Sequence, residues 1–342
     1  MIVGNSDGSG EPVAHLGGRL ATSLVEVSDD LAVLDGSGRW AVVVTYEGAV
    51  TCARFAQWRE GPVPTTGRWH GPGPSSWTTS LERAAYVGAV EEVRHRIAAG
   101  TVYQANICRV MSAPFAGRDL RPLARRLAER HDSPFGGMVS VPEAGVSVVT
   151  ASPELFLRRD GARVMSSPIK GTGRTEGDLA PKDVAENVMI VDLVRNDLSR
   201  VCQTGSVAVD DLLAIEKHPG LVHLVSTVSG TLAAGNGWPE LIEATFPPGS
   251  VTGAPKSSAL TTIDDLETAP RGPYCGAIGW VDADERTAEL AVGIRTFWAE
   301  NGQLKFGTGA GITWGSDPYR EWAETELKSE RLVGLASEVE PE

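Results

Sequence analysis

The stretch ASPELFLRRDGARVMSSPIKGT, residues 151–172, sets a carboxylic acid, Glu154, sixteen positions before a primary amine, Lys170. Runs rich in Val, Leu and Phe flank an Arg-Asp-Gly turn at 159–161. Such runs on either side of an Asp-Gly pair predict a β-hairpin. A hairpin folds its two ends back towards one end of a sheet, so we expect the acid and the amine to share a site.

The composition bounds the kind of protein. With 342 residues, 42% of them hydrophobic and 22% charged, the chain is long enough for one large domain or two ordinary ones. A net charge of −13 argues against nucleic acid or an anionic membrane as the main partner, because either would favour a basic surface. No apolar run approaches the ~18 residues of a membrane span, and the N-terminus shows no signal pattern. We therefore expect a cytoplasmic protein.

The order of apolar runs and turns indicates the fold class. We expect a disordered lead-in at 1–12, a short β segment of the same domain at 13–75, and the main domain at 76–338. A helical pattern over 81–100 leads into further strands, without the regular rhythm of βαβ units. The expected fold is α/β in the broad sense (α+β), with large, mostly antiparallel sheets.

A second informative segment, PKDVAENVMIVDLVRNDLSRV at 181–201, has the pattern of a helix. One of its faces carries Val184, Val188, Val191 and Leu198. Apolar residues also occupy much of the opposite side, so we expect the helix to be buried nearly all round. Glu186 projects among them, and a buried carboxylate needs a cation, a metal or hydrogen-bond donors. A structural ion pair with an arginine is the alternative to a metal site.

The C-terminal segment repeats this mixture of acids and apolar residues. A helix beginning near 317–318 brings three charged residues within about 60° of one another on a helical wheel. They are Glu321, Glu324 and Lys328. Two leucines continue the stripe, which predicts a buried face that enters a polar site. A solvated Glu-to-Lys pair at i, i+4 spacing is the alternative.

Three further segments hold polar residues in apolar or glycine-rich surroundings. The strand pattern at 221–230 contains His223, either a core histidine or a site residue. The loop FPPGSVTGAPK at 246–256 opens a helix whose backbone N–H groups suit an anion. Arg295 stands among apolar neighbours, and GTGAGI at 307–312 lets bare backbone approach a ligand. Arginine with exposed amides is a receptor for a carboxylate.

Without reference to any family, these features combine acidic helices that could hold Mg²⁺ through oxygen ligands, carboxylate-binding groups, and an acid with an amine. The reaction stays undetermined at this level. Several long motifs, however, resemble the chorismate-utilising enzymes, which comprise anthranilate, aminodeoxychorismate, isochorismate and salicylate synthases. These motifs are PIKGT (168–172), DVAENVMIVDLVRNDLSRV (183–201), FPPGSVTGAPK (246–256), GAIGW (276–280), IRTF (294–297), GTGAGI (307–312) and EWAETELK (321–328).

The resemblance covers about residues 80–335 and implies the anthranilate-synthase type of fold. In that fold two large antiparallel sheets pack face to face, helices lie outside, and the site lies between the sheets. The lysine of PIKGT implies amination at ring carbon four, giving 4-amino-4-deoxychorismate. By the same resemblance Lys170 is the nucleophile that adds to carbon two, and Glu154 is the general acid that assists the departing hydroxyl. Nucleophilic work requires the neutral amine.

Other roles also come from the resemblance alone. Glu186 and Glu324 match Mg²⁺ ligands, with Glu321 as a supporting carboxylate. The matched substrate-binding residues are Arg295, Tyr274, Gly309, Gly311, Lys328, His223, Gln104, Thr172 and Thr252. Gln104 stands where the water-using relatives carry a lysine base, which argues against water as the nucleophile.

The expected partners are chorismate and a source of ammonia. The chain contains no GxCxG nucleophile elbow, so ammonia must come from a separate glutamine amidotransferase subunit or from solution. The product would serve 4-aminobenzoate and folate, or a secondary metabolite. One alternative is amination at carbon two, giving anthranilate or 2-amino-2-deoxyisochorismate. An alternative of another class is a catalytically silent partner subunit that binds chorismate.

Overall fold

A computed structural model of the chain describes residues 10–64, 67–117, 119–131, 133–173, 175, 177, 181–218 and 221–337. The lead-in expected at 1–12 lies outside the described residues apart from 10–12. The helices within the described ranges are α1 Arg83–Ala98, α2 Arg121–Arg130, α3 Pro181–Ser199, α4 Trp238–Thr245, α5 Lys256–Leu266 and α6 Pro318–Ser337.

The strands account for most of the remaining chain. They are β1 Val13–Leu16, β2 Arg19–Ser28, β3 Arg39–Val44, β4 Val50–Glu60, β5 Thr78–Thr79, β6 Gln104–Pro114, β7 Phe135–Val141, β8 Val146–Ser152, β9 Leu155–Asp160, β10 Arg163–Ser167, β11 Ile169–Gly173, β12 Ala208–His218, β13 Leu221–Thr231, β14 Gly253–Ala254, β15 Ala277–Asp282, β16 Thr287–Val292, β17 Thr296–Glu300 and β18 Gln303–Ile312. Short 3-10 turns connect some of them.

The ladders between these strands are antiparallel. One half of the sheet runs β6, β18, β17, β8, β7, and the other runs β4, β3, β15, β16, β9, β10, β13. The β1–β2 hairpin joins the halves, because β1 pairs with β7 and β2 pairs with β4. The expected mixed α/β fold is confirmed, and its large antiparallel sheets are continuous with each other.

Two groups of helices cover this curled sheet. Helices α1, α2 and α6 pack apolar residues on the half that contains β6 and β18, and Trp322, Leu332 and Leu335 belong to that packing. Helices α3 and α4 pack on the other half, where Ile190, Val191 and Leu198 join the largest apolar cluster. Both ends of the sheet are therefore held in place by helices that also carry acidic residues.

The predicted hairpin is present as β9 and β10, with Asp160 opposite Arg163. Its loop is 161–162, which begins two positions and ends one position later than the expected turn, and Gly161 adopts a φ of +59° that glycine tolerates. A register shift between Met165 and Ser167 precedes β11, so the chain leaves β10 with an irregularity before Lys170. The acid and the amine therefore lie just outside the two ends of the hairpin, Glu154 before β9 and Lys170 in β11.

The prediction that α3 is buried nearly all round was wrong. Val184 and Val188 are 40% and 46% exposed, whereas Ile190 and Leu198 are fully buried. The helix packs on β11, β12, β13 and α4, and Val184 and Val188 lie on the part of its surface that these contacts leave exposed. Glu186 is half-buried.

No described helix has the length and apolar character needed to cross a membrane.

Candidate active site

Lys170 projects from β11 towards the loop that follows α4. Its Nζ donates to the main-chain carbonyl of Ser250 at 3.1 Å. Ser250 sits in a single 3-10 turn, Gly249–Val251, and is 7% exposed. The amine of the PIKGT motif is thus held by backbone from the FPPGSVTGAPK motif.

Glu154 lies between β8 and β9 and is 4% exposed. Ser152 holds its main chain, since Ser152 Oγ accepts from Glu154 N at 3.2 Å and donates to Val292 O at 2.6 Å. Burial raises the pKa of Glu154 to about 7, against the lowering effects of the Ser250 hydroxyl, Lys170 and Arg295. A carboxyl with this pKa is largely protonated below neutral pH and can act as a proton donor.

Glycines of strand β18 lie beside the amine of Lys170. A methyl group on Gly311 would lie 2.5 Å from Gln104 Nε2 and 3.5 Å from Lys170 Nζ. The Gln104 side chain is 1% exposed, and its Oε1 has no hydrogen-bond partner among the described residues. Any side chain at Gly311 would displace the amide or the amine, so this position keeps bare backbone next to the reactive groups.

The charged face of helix α6 lies against the same glycines. Lys328 Nζ donates to Gly309 O at 3.1 Å and lies 2.6 Å from Glu324 Oε1. Both side chains are about half exposed, whereas Glu321, one turn earlier, is 4% exposed. Glu321 is thus buried as the predicted stripe requires, whereas Glu324 and Lys328 form the partly solvated i, i+4 pair that was the alternative.

Contacts with β6 and β18 fix the rotation of α6 about its own axis. Arg109 Nε donates to Thr325 Oγ1 at 3.0 Å, and its guanidinium stacks on Trp322 with 4.3 Å to the ring centroid. Thr308 Oγ1 donates to Thr325 O at 3.0 Å. These contacts set the rotation of the helix and so aim Lys328 at the glycines.

Arg295 has an unusual backbone, with φ at +52° for a residue other than glycine. Its Nη1 lies 3.5 Å from His131 Nε2. Burial, reinforced by the nearby Arg331, lowers the pKa of its guanidinium, and Glu154 opposes that effect. Strained residues are found preferentially at sites of function, and the charge of Arg295 is near enough to Glu154 to lower the pKa of that acid.

The remaining predicted residues lie deeper. Tyr274 is 5% exposed, and its hydroxyl oxygen accepts from the Cys108 thiol at 3.8 Å. Thr252 is fully buried, and its hydroxyl donates to carbonyls of its own loop. His223 is 3% exposed in β13 and lies opposite Thr172 in β11, where only the backbone of Thr172 is described. Tyr274 and Thr252 thus use their hydroxyls in internal contacts.

The carboxylates proposed for a metal come from two helices, Glu186 from α3 and Glu324 with Glu321 from α6. Oxygen donors of this kind suit Mg²⁺. Within the described ranges, no three His, Cys, Asp or Glu side chains form a metal-binding group. An ion held by one or two carboxylates, with water and a substrate oxygen, is how Mg²⁺ commonly binds, so the donor chemistry fits.

Sequence reasoning missed Ser250, although it quoted the loop that contains it. The contact with Lys170 is made by a main-chain carbonyl, which any residue supplies, so its side chain gives no signal for this contact. The ion pair between Lys256 and Asp197, 2.6 Å apart, was also missed. It fastens the same loop to α3.

A large cleft of about 490 Å³ lies elsewhere, against the β9–β10 turn and the start of α4. Arg159, Trp238 and Asp282 line it, and it contains none of the residues proposed for the site. The reactive groups are thus separate from this cleft.

The described residues therefore bring a buried acid, Glu154, and an amine, Lys170, to the same loop residue, Ser250. The family model for chorismate binding enzymes matches residues 41–334, and the chain belongs to that family. This membership confirms the family that the motifs indicated.

Individual relatives show how the family divides. The chain is 35% identical to anthranilate synthase component 1 of Streptomyces coelicolor, covering 92% of this chain and 67% of that protein. It is 32% identical to aminodeoxychorismate synthase component 1 of Klebsiella aerogenes, covering 90% and 69%. The crystal structure of anthranilate synthase component I from Streptococcus pneumoniae has the same fold, with a TM-score of 0.77 and 22% identity over 97% of this chain and 94% of that one.

The curated relatives are longer than this chain, which spans 56% to 71% of their lengths. Relatives of both names match at similar identity. The family is therefore established, and the particular reaction rests on the site.

Proposed function

We propose that this chain is an aminodeoxychorismate synthase component 1, which aminates chorismate with ammonia at ring carbon four. The observation that carries the proposal is the pairing of Lys170 with Glu154 through Ser250. One loop residue contacts the amine by its carbonyl and faces the acid by its hydroxyl. An amine held beside a proton donor is what a substitution through a covalent intermediate requires.

In the proposed reaction the neutral Lys170 amine forms a bond to carbon two, and the carbon four hydroxyl leaves with the proton of Glu154 as water. Ammonia then forms a bond to carbon four while the bond from lysine to carbon two breaks. The new ammonium group returns a proton to Glu154. Lys328, Arg295 and the amides of Gly309 and Gly311 would bind the carboxylates of the substrate.

Mg²⁺, held by Glu186 and Glu324 with Glu321 nearby, would neutralise the ring carboxylate of chorismate. In the described structure Lys328 is paired with Glu324, so one proposed ligand is engaged with a cation before any ion binds. Chain residues thus supply the orientation and the proton transfers.

A second candidate, amination at carbon two, is favoured by the match to anthranilate synthase component 1. The two functions differ in product. Chromatography with mass spectrometry of a reaction containing chorismate, Mg²⁺ and an ammonium salt separates 4-amino-4-deoxychorismate from anthranilate. Anthranilate as the main product would contradict the leading proposal, and no consumption of chorismate would indicate a silent subunit.

The source of nitrogen gives a separate prediction. Glutamine should support no turnover by the purified chain, because none of its cysteines lies in a nucleophile elbow and all four are buried. Ammonium salts should support turnover, and below about pH 7, where Glu154 keeps its proton, this turnover should increase with pH because the concentration of NH₃, the attacking species, increases. Adding a glutamine amidotransferase subunit should restore the use of glutamine. Glutamine-dependent product from this chain alone would refute the need for such a partner.

The metal gives another prediction. Glu186→Ala and Glu324→Ala should each abolish Mg²⁺-dependent binding of chorismate, because the ion would lose an oxygen ligand. Titration calorimetry of chorismate with and without Mg²⁺ measures this without any turnover. Glu326→Ala, on the same helix as Glu324, is a matched control that should retain the Mg²⁺ dependence. Undiminished dependence in both test variants would remove these residues from the metal site.

A further inference from the structure

Ser250 lies next to both reactive groups and faces them with different atoms. Its carbonyl accepts from Lys170 Nζ at 3.1 Å, and its side chain faces the Glu154 carboxyl. The Ser250 residue is 7% exposed. Yet its Oγ is buried without a partner in hydrogen-bonding geometry in the described part of the chain. A buried hydroxyl normally has a partner, so this one calls for a ligand.

A small cavity lies next to this hydroxyl. It has a volume of about 20 Å³, and its polar lining comes from Glu154, Ser166, Asp197, Thr245 and Ser250 among apolar neighbours. One water molecule needs roughly 10–15 Å³ of such space and two to four polar partners. The cavity meets both conditions and is too small for an organic ligand.

The loop that carries Ser250 is fastened on several sides. Lys256 Nζ donates to Asp197 Oδ2 at 2.6 Å and to Thr245 O at 3.1 Å. The buried Arg271 donates to Val251 O at 2.9 Å. These contacts precede, follow and adjoin Ser250, so its two polar groups have little freedom to move.

We propose that Ser250 is a positioning residue that fixes Lys170 through its carbonyl and Glu154 through its hydroxyl and one water molecule bound in the adjoining cavity. This inference rests on the proposed function of Lys170 and Glu154. The water completes the hydrogen bonding of Ser250 Oγ and links it to the acid. The Glu154 carboxyl and the Lys170 amine are then both held by Ser250. The distance between them is therefore set by the 3-10 turn Gly249–Val251.

The charged groups that face Glu154 bear on its proton transfer. Lys170, Arg295 and the Ser250 hydroxyl all lower the pKa of Glu154, because they favour its carboxylate form. Burial raises this pKa, because it favours the protonated acid. Asp197 lines the same cavity and is paired with Lys256. His131 and Arg331 adjoin Arg295 and act through it.

The test is Ser250→Ala, which keeps the carbonyl and removes the hydroxyl. Without the Ser250 hydroxyl the charged form of Glu154 is less favoured, so the pKa of Glu154 rises. In a plot of the rate of chorismate consumption against pH, the descending limb at high pH should therefore move upward by about one pH unit. The maximal rate should fall roughly tenfold, since a hydrogen bond to a charged group is lost, while the KM for chorismate stays within about twofold. Rates are measured at constant free NH₃.

Two further variants separate this role from a purely structural one. Ser166→Ala removes a hydroxyl from the same cavity and should leave the high-pH limb in place. Ser250→Thr keeps the hydroxyl, so it should retain the wild-type limb, and its crystal structure should still show the water. An unshifted limb in Ser250→Ala, or a limb that shifts equally in Ser166→Ala, would overturn the proposal.

Crystallography provides a readout independent of activity. A high-resolution structure of the wild type should show one water between Ser250 Oγ and Glu154, and the structure of Ser250→Ala should lack it. A dry cavity in the wild type would overturn the water site even if Ser250→Ala folds poorly. Failure of the proposed function is seen separately, as amination at carbon two, because the pH limb follows chorismate consumption whichever product forms.

Discussion

Lys170→Ala should lower the rate of 4-amino-4-deoxychorismate formation by roughly 10³-fold or more, because the covalent nucleophile is lost. With alanine there, carbon two is open to attack, and any residual activity should shift towards amination at that carbon. Lys170→Arg should restore nothing, since a guanidinium stays protonated and cannot act as a nucleophile. Chromatographic product analysis measures all three outcomes.

A matched control is Lys305→Ala, which removes a lysine paired with Glu300 away from the site. Its rate should equal that of the wild type. Mass spectrometry of quenched wild-type enzyme should show an adduct of the dehydrated substrate on the peptide that contains Lys170. Full activity of Lys170→Ala would end the covalent hypothesis, whatever the product.

Glu154→Gln should reduce the rate by about 10²- to 10⁴-fold, the usual contribution of a general acid. The amide has nearly the same shape but cannot donate a transferable proton to the departing hydroxyl. In the wild type, a plot of the maximal rate against pH should fall above about 7, where burial places the pKa of Glu154. This descending limb should be absent from whatever activity Glu154→Gln retains.

The same substitution should change how stability depends on pH. Burial raises the pKa of Glu154 from 4.5 to about 7, so the folded state binds this proton more tightly than the unfolded state. The contribution is complete below pH 4.5 and is lost as pH rises through 7. Relative to Glu154→Gln, the free energy of unfolding of the wild type should therefore fall by roughly 3 kcal/mol across this window.

Urea unfolding at several pH values measures this difference, with Glu300→Gln as a control for the loss of one surface carboxylate. A difference for Glu154→Gln that changes across the window no more than the difference for Glu300→Gln would mean that the carboxyl of Glu154 ionises normally in the folded protein.

The hairpin at 151–172 was predictable because turn chemistry and apolar runs are local signals. The single continuous sheet was not, because its halves join through β1 and β2, whose pairing with β7 and β4 depends on contacts far apart in sequence. The exposure of Val184 and Val188 was misjudged for a related reason. A helical wheel shows which residues share a face but not which face meets a sheet.

The candidate site divides in the same way. Glu154, Lys170 and Lys328 stood out because a charged side chain in an apolar or motif-bearing stretch is unusual. Ser250 did not, since its link to Lys170 uses the carbonyl that every residue has. The internal hydrogen bond of Tyr274 with Cys108 was equally hidden, because it joins residues 166 positions apart.

The pairing of β6 with β18 has a consequence for the synthesis of this protein. Asn106 lies opposite Gly311, so about 200 residues must be translated between the two halves of one ladder. Closing so large a loop is entropically costly, and such long-range pairing slows folding. During synthesis on the ribosome, the edge of β6 that pairs with β18 stays unpaired until residues beyond 300 emerge. The nascent chain therefore has an exposed strand edge for most of its synthesis, which makes early chaperone binding valuable to it.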